Sequence, residues 1–195
     1  MRHTVAIALL MFAALSLGAC GGGAPGAGSG GGQASPITVV DGAGRHVTLA
    51  APARRVISLI PSVNELVVAL GAADRLVART DYDRDPRLAD LPSVGGGLTP
   101  SLEWLAQRRP DLVIGWPDTR SRSLVERLGE LGIPVYTAPS QTIEDALSVA
   151  QDLGVLLGRR QAADSLVHAI RTGLDSVRAS VAGERGGLSA ARARS

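Results

Sequence analysis

The sequence predicts an α/β lobe: a parallel sheet with helices on both faces, a β-hairpin ahead of it and a long helix behind it. Three observations carry this. Short apolar runs recur at residues 56–60, 76–78, 110–115 and 134–137, each of strand rather than helix length. Between them lie segments whose apolar residues recur every three or four positions. Three of those segments close on a glycine, at Gly71, Gly132 and Gly158. Strands alternating with helices argue for a Rossmann-like parallel sheet with right-handed crossovers.

Ile37-Thr38-Val39-Val40 and His46-Val47-Thr48-Leu49 are β-prone runs joined by the turn residues Asp41-Gly42-Ala43-Gly44, hence a hairpin. Alternation puts His46 outward or against the hairpin, with no functional role. Residues 56–60 are nearly continuously apolar, as in a strand covered on both faces. Pro61 stops that strand. Ser62 with Glu65 three residues on has the spacing of a capping box, which predicts a helix over 62–70. Residues 76–78 read as a second strand, leaving through the polar loop 80–86. Gly95-Gly96-Gly97 is a loop. Ser101 then caps a helix over 102–108, with Leu102, Leu105 and Ala106 on one face and Trp104 in the core.

Residues 110–115 are the third strand, with Trp116 at its exit. A helix follows over 121–131, where Leu124, Leu128 and Leu131 fall in line. Residues 134–137 are the fourth strand, and Thr142 with Asp145 opens a helix to residue 157. Residues 161–181 read as one long helix with a stripe of Leu166, Ile170, Leu174, Val177 and Val181. Gly173 inside it costs about 1 kcal/mol relative to alanine. Residues 184–195 lack β-branched side chains and carry a Gly-Gly pair, so they read as an unstructured tail.

A chain of 195 residues suits one domain of ordinary size. Hydrophobic residues make up 45% and aromatics 3%, so a core of Leu, Val, Ala and Ile is available and each ring merits its own reading. All twenty basic residues are arginine and the net charge is +2. No dense basic stripe interleaved with aromatics appears, which argues against nucleic acid. G-x-S-x-G, P-loop and G-x-G-x-x-G motifs are missing, and only His46 and His168 lie beyond the leader, which argues against an enzyme. The lack of a histidine cluster argues against direct zinc or manganese capture.

The first residues read as an address. Arg2 and His3 precede an apolar run over 4–19, short of the roughly 20 residues of a membrane span. The run ends Leu17-Gly18-Ala19-Cys20, which resembles a bacterial lipobox, where the thiol of Cys20 takes diacylglycerol after cleavage. Uncharged residues 21–35 suit a flexible tether. The expected division is a lipoprotein signal peptide over 1–19, tether over 20–36, lobe over 37–158, interlobe helix over 159–183 and tail over 184–195. The product is expected outside the cytoplasm, lipid-anchored to the cell membrane.

In an open parallel sheet, ligands lie off the carboxyl ends of the strands. Four candidate ligand-binding residues fall there. Pro61 and Ser62 open a helix whose backbone N–H groups suit an anion or carbonyl, Tyr82 lies in the loop after the second strand, and Trp116 follows the third. Asp81, Asp83 and Asp85 alternate as in a calcium loop, but the Gly and Glu of an EF-hand do not follow, and they are assigned no metal.

These segments together carry a resemblance. The hairpin with Asp41-Gly42-Ala43-Gly44-Arg45, then Arg55-Val56-Ile57-Ser58-Leu59 with Pro61-Ser62 and Glu65-Leu66, then Leu70-Gly71-Ala72, Thr80-Asp81-Tyr82 with Pro86, Val94-Gly95, Ser101-Leu102-Glu103 and Pro110-Asp111-Leu112-Val113-Ile114 follow one order. That order is similar to the substrate-binding lipoproteins of ABC importers for cobalamin, iron-siderophores and haem. The resemblance spans residues 37 to about 181. It implies no enzymatic activity and no cofactor; the ligand is cobalamin, haem or a ferric siderophore, and the partners are the importer's permease and ATPase. It implies two lobes joined by a long helix, of which this chain resembles the first lobe and the helix. No second lobe is expected in this sequence, and its ending reads as that of a frameshifted or truncated gene, or else as a real terminus. The alternatives are a non-transporting lipoprotein remnant and an extracytoplasmic enzyme on the same fold. By the same resemblance, Glu65 docks against permease arginines, Trp116 lies on the ligand, and Tyr82 stacks, donates a hydrogen bond or binds haem iron.

Overall fold

The computed structural model describes residues 35–117 and 119–192. The signal segment, Cys20 and nearly all of the tether lie outside them. Three short parallel strands form the central sheet in the order β3-β4-β5: β3 (Val56–Ser58), β4 (Leu112–Gly115) and β5 (Val135–Thr137). Val56 pairs with Leu112, and Val113 with Val135. Alternation along the strands feeds two cores. Ile57, Leu59, Val113 and Val135 pack with Leu105 and Leu128 on one face. Val56, Leu112, Ile114 and Tyr136 pack on the other with Val67, Leu153 and the hairpin residues Val39 and Val47. Burying each such Val or Leu side chain contributes about 1.5–3 kcal/mol, so the predicted three-layer α/β arrangement is also the arrangement that covers both sheet faces.

The hairpin is β1 (Ile37–Val40) against β2 (His46–Leu49), antiparallel, with Ile37 opposite Leu49. Asp41 organises its turn. The carboxylate accepts the N–H groups of Ala43 at 3.0 Å and Arg45 at 2.8 Å, and pairs with Arg45 Nη2 at 2.5 Å. It also accepts Thr137 Oγ1 at 2.8 Å, while Gly42 N–H donates to the Thr137 carbonyl at 2.7 Å. The hairpin is thereby tied to the carboxyl end of β5.

β4 and β5 begin one or two residues later than the predicted runs 110–115 and 134–137, and the other two predicted strands change more. β3 ends at Ser58, not residue 60, because the Ser58 hydroxyl accepts the Ile60 N–H at 3.2 Å and curls the chain. Residues 76–78 form no strand. The segment makes one parallel bridge to β3, Val56 with Leu76, then turns to a new partner through Arg79 and Ser93. With partners switched midway, no ladder forms.

Among the described residues, five α-helices complete the fold: α1 (Pro61–Ala69), α2 (Leu102–Gln107), α3 (Thr119–Glu130), α4 (Ile143–Leu156) and α5 (Arg160–Arg192). Ser101 caps α2 by accepting the Trp104 N–H at 3.2 Å. Trp104 packs against the second core with the Arg108 guanidinium 3.3 Å from its ring centroid. The Thr142–Asp145 capping box on α4 is present in both directions. The expected Ser62–Glu65 box is not. Ile60 is the N-cap of α1 and makes no side-chain cap bond, while Pro61 occupies the first turn. Proline brings a fixed φ and no N–H to that position, which starts the helix one residue early. Ser62 therefore lies inside the helix, and Glu65 has nothing to reciprocate.

α4 and α5 cross closely, since a Cβ at Gly154 would overlap that of Ala163. Leu147, Ala150 and Val167 fill this seam. The α5 stripe is covered only in part: Leu166, Ile170 and Leu174 are half-buried, while Val177 and Val181 are exposed, as is Leu131 beyond the end of α3. Residues 184–192, expected to be unstructured, continue α5. Extending an existing helix fixes one residue per added bond without a new nucleus, and Ala, Leu, Arg and Glu favour it. Among the described residues, no helix is long and apolar enough to cross a membrane.

Candidate functional site at the carboxyl edge of the sheet

The carboxyl ends of β3, β4 and β5 meet along one edge, because all three strands run parallel. Pro61 and Ser62 follow β3 there, and Trp116 follows β4 directly. Pro61 is half-buried and Ser62 exposed. Proline has no N–H, so Pro61 cannot donate. The N–H groups of Val63 and Asn64 both go to the Ile60 carbonyl, at 3.1 and 3.2 Å. Only the Ser62 N–H and hydroxyl remain at this helix start, a narrower anion site than the sequence suggested.

Tyr82 reaches the same edge by a chain of contacts. Gly97 lies against the backbone of Leu59, at the end of β3, so closely that a Cβ would overlap the Leu59 carbonyl oxygen. Its φ of +82° is a conformation that glycine alone adopts without strain. The neighbouring Gly96 lies beneath the Tyr82 ring, with its Cβ direction 3.6 Å from Cε2. The loop backbone is fixed from several sides. Asp81 N–H donates to the Gly95 carbonyl at 3.0 Å, Tyr82 N–H donates to Thr80 Oγ1 at 3.2 Å, and Ser93 Oγ donates to Asp81. Asp83 Oδ2 accepts from Asn64 Nδ2 at 2.8 Å and from Thr80 N–H at 2.5 Å.

Trp116 is less free than predicted. Its ring packs against the first core, and its Nε1 is buried with no hydrogen-bond partner among the described residues. A buried indole N–H without an acceptor is costly. Glu65 lies on the exposed side of α1 and makes no ion pair among the described residues.

Four of the seven exposed large hydrophobic side chains among the described residues lie on segments that adjoin this edge: Tyr82 at 64%, Leu98 at 64%, Val40 at 53% and Ile143 at 53%. Leu98 follows Gly97, Val40 precedes the turn tied to Thr137, and Ile143 opens the helix that leaves β5. Beside this rim a cavity of about 620 Å³ opens between the 97–103 segment and α3, lined by Leu59, Leu98, Ser101, Glu103 and Arg127. No group of three or more His, Cys, Asp or Glu side chains among the described residues could hold a metal ion. The edge presents apolar side chains beside hydrogen-bonding groups. Sequence reasoning missed the apolar rim and the Asn64–Asp83 pair. The readable signal for the latter was an Asn among the inward residues Val63, Val67 and Val68 of α1.

Residues 56–191 match the family model described as periplasmic binding protein. The vitamin B12-binding protein of Vibrio cholerae is 29% identical over 128 residues, covering 65% of this chain and 46% of that protein. The uncharacterized ABC transporter substrate-binding lipoprotein YvrC of Bacillus subtilis is 28% identical over 176 residues, covering 87% and 56%. A solved structure described as the ABC-type Fe3+-hydroxamate transport system of Saccharomonospora viridis superimposes with a TM-score of 0.61 at 28% identity, covering 74% of this chain and 56% of that one. The chain thus spans about half the length of the curated relatives it matches.

Proposed function

Because the chain belongs to the periplasmic binding protein family, we propose that it captures a corrinoid or ferric chelate at the carboxyl edge of its sheet. The ligand class is cobalamin, haem or a ferric siderophore, delivered to an ABC import permease with its ATPase. The observation that carries this reading is the exposed apolar rim of Val40, Tyr82, Leu98 and Ile143 around polar donors. Rigid ring systems and chelates present broad apolar faces with acceptors at their margins. The rim meets the faces with the Trp116 ring beside it, and the exposed Ser62 meets the margins. No chemistry is performed on the ligand. Glu65, exposed on α1, serves permease docking; a lone surface pair is worth at most about 1 kcal/mol, so neighbouring contacts share that role. Cys20 carries the lipid anchor on the extracytoplasmic side, and residues 21–35 are the leash.

The test is a titration of the purified chain, with Trp104→Phe leaving Trp116 as the single indole. Cyanocobalamin, haemin and ferrioxamine B are added in turn and Trp116 fluorescence is read. Saturable quenching by one of them is expected, with affinity weakened about tenfold by Tyr82→Ala through loss of a ring contact. Failure of all three to bind sinks the ligand class.

A further inference from the structure

We propose that Asp83 is a positioning residue for the Tyr82 loop, and that buried Asn64 of α1 holds it there. The inference rests on the reading of Tyr82 as a ligand contact. Tyr82 is the most exposed aromatic at the edge, yet its backbone is fixed. Asp83 Oδ2 takes the Asn64 amide at 2.8 Å and the Thr80 N–H at 2.5 Å. Thr80 in turn takes the Tyr82 N–H on its hydroxyl. One carboxylate oxygen thus sets the residues on both sides of the ring.

Asn64 is fully buried. An ionised Asp83 only accepts, so the Asn64 NH2 must face it, and this orients the amide. The price of that orientation is visible: Asn64 Oδ1 is buried with no partner among the described residues. A buried polar side chain half-satisfied in a helix that otherwise packs valines adds nothing to that helix by itself. What it does is anchor a loop nineteen residues away, in the turn of α1 whose next residue is Glu65. This bond joins the Tyr82 loop to the buried side of α1.

Amide hydrogen exchange on the full chain tests this without any ligand. Asp83→Ala and Asn64→Ala should each speed exchange at Thr80 and Tyr82 by about tenfold, as expected for losing a hydrogen bond to a charged group. Val67 and Val68 amides within α1 should keep their rates. Asp83→Asn retains an acceptor oxygen and should restore most of the protection. The double Ala variant should exchange no faster than Asp83→Ala alone, since removing the Asp83 carboxylate already removes the Asn64 link. Wild-type rates at Thr80 and Tyr82 in both Ala variants would overturn the proposal. So would a loss of protection spread evenly through α1 and the sheet, which marks general destabilisation.

Affinity gives a second reading. Where cyanocobalamin, haemin or ferrioxamine B binds, Asp83→Ala should weaken it about tenfold and have no further effect on a Tyr82→Ala background. An equal effect on that background would overturn the link to Tyr82. If none of the three binds, the ligand class fails while the exchange result still decides the role of Asp83.

Discussion

A single methyl group at Gly97 would enter the space of the Leu59 carbonyl oxygen, in a conformation at φ +82° that L side chains rarely adopt. At Gly96 the same methyl would meet only the Tyr82 ring at ordinary contact distance. Gly97→Ala should therefore lower unfolding free energy by more than about 2 kcal/mol, strain and displacement combined. Gly96→Ala should stay within about 0.5 kcal/mol. Urea unfolding of the two variants checks this, and equal effects would mean that the loop does not lie against β3 as described. The three consecutive glycines were legible as a loop. Which of them is indispensable was not, because that depends on a carbonyl thirty-eight positions earlier in the chain. The same holds for Asn64, whose partner in the Tyr82 loop only the fold brings near. Residue types told where chemistry could sit; contacts across the chain decided which residues carry it.

The two capping boxes read from the sequence had the same spacing and opposite outcomes. At α4, Thr142 and Asp145 satisfy each other's backbone, and Asp145 Oδ2 accepts both the Gln141 and Thr142 N–H groups at 2.9 Å. At α1, Pro61 took the first helical position and left Ser62 with no cap to make. Thr142→Ala should cost about 1 kcal/mol, and Ser62→Ala should change stability by less than about 0.5 kcal/mol. Chemical denaturation of both variants separates them; comparable losses would restore the box at α1. The strands were legible from apolar runs because burial on both faces demands them. The run 76–78 satisfied that demand and still failed as a strand, because pairing needs a neighbour for its whole length and it changes neighbours midway. Helix extent was least legible at the C-terminal end, where continuation of α5 depends on an existing helix more than on local composition.

At the scale of the whole molecule, one carboxylate joins the hairpin to the sheet, and its ionisation should appear in the acid stability of the fold. Burial pushes the Asp41 carboxyl up, but hydrogen bonds from the Arg45 side chain and backbone and from Thr137 together bring it below its ordinary 3.8. A carboxyl lowered in the folded state contributes stability above its unfolded pKa, lost as pH falls through the folded value. Asp145 shifts the same way through its Gln141 and Thr142 N–H bonds, and Asp85 is held at about 2 by Arg87, but both sit only partly covered at the surface and add little. Asp152 runs opposite: burial raises it, against the hydrogen bond it accepts from Tyr136 at 2.7 Å. Its ionisation is disfavoured by folding, so protonation on moving down from neutral pH relieves that cost until both states are protonated. Stability should therefore hold or rise slightly as pH falls from 7, then decline below about pH 4 as the lowered carboxylates protonate. Asp41→Asn should flatten that acid limb and lower stability at pH 7 by about 1.5–3 kcal/mol, the scale of hydrogen bonds to a charged group. Thermal midpoints measured from pH 7 to 2.5 on wild type, Asp41→Asn and Asp152→Asn decide the matter. Asp152→Asn should remove the slight rise and leave the acid decline in place. An unchanged acid limb in Asp41→Asn would mean that the hairpin is held by its apolar contacts, Val39 and Val47 against the first core, and that the ion pair at its turn is incidental to the fold.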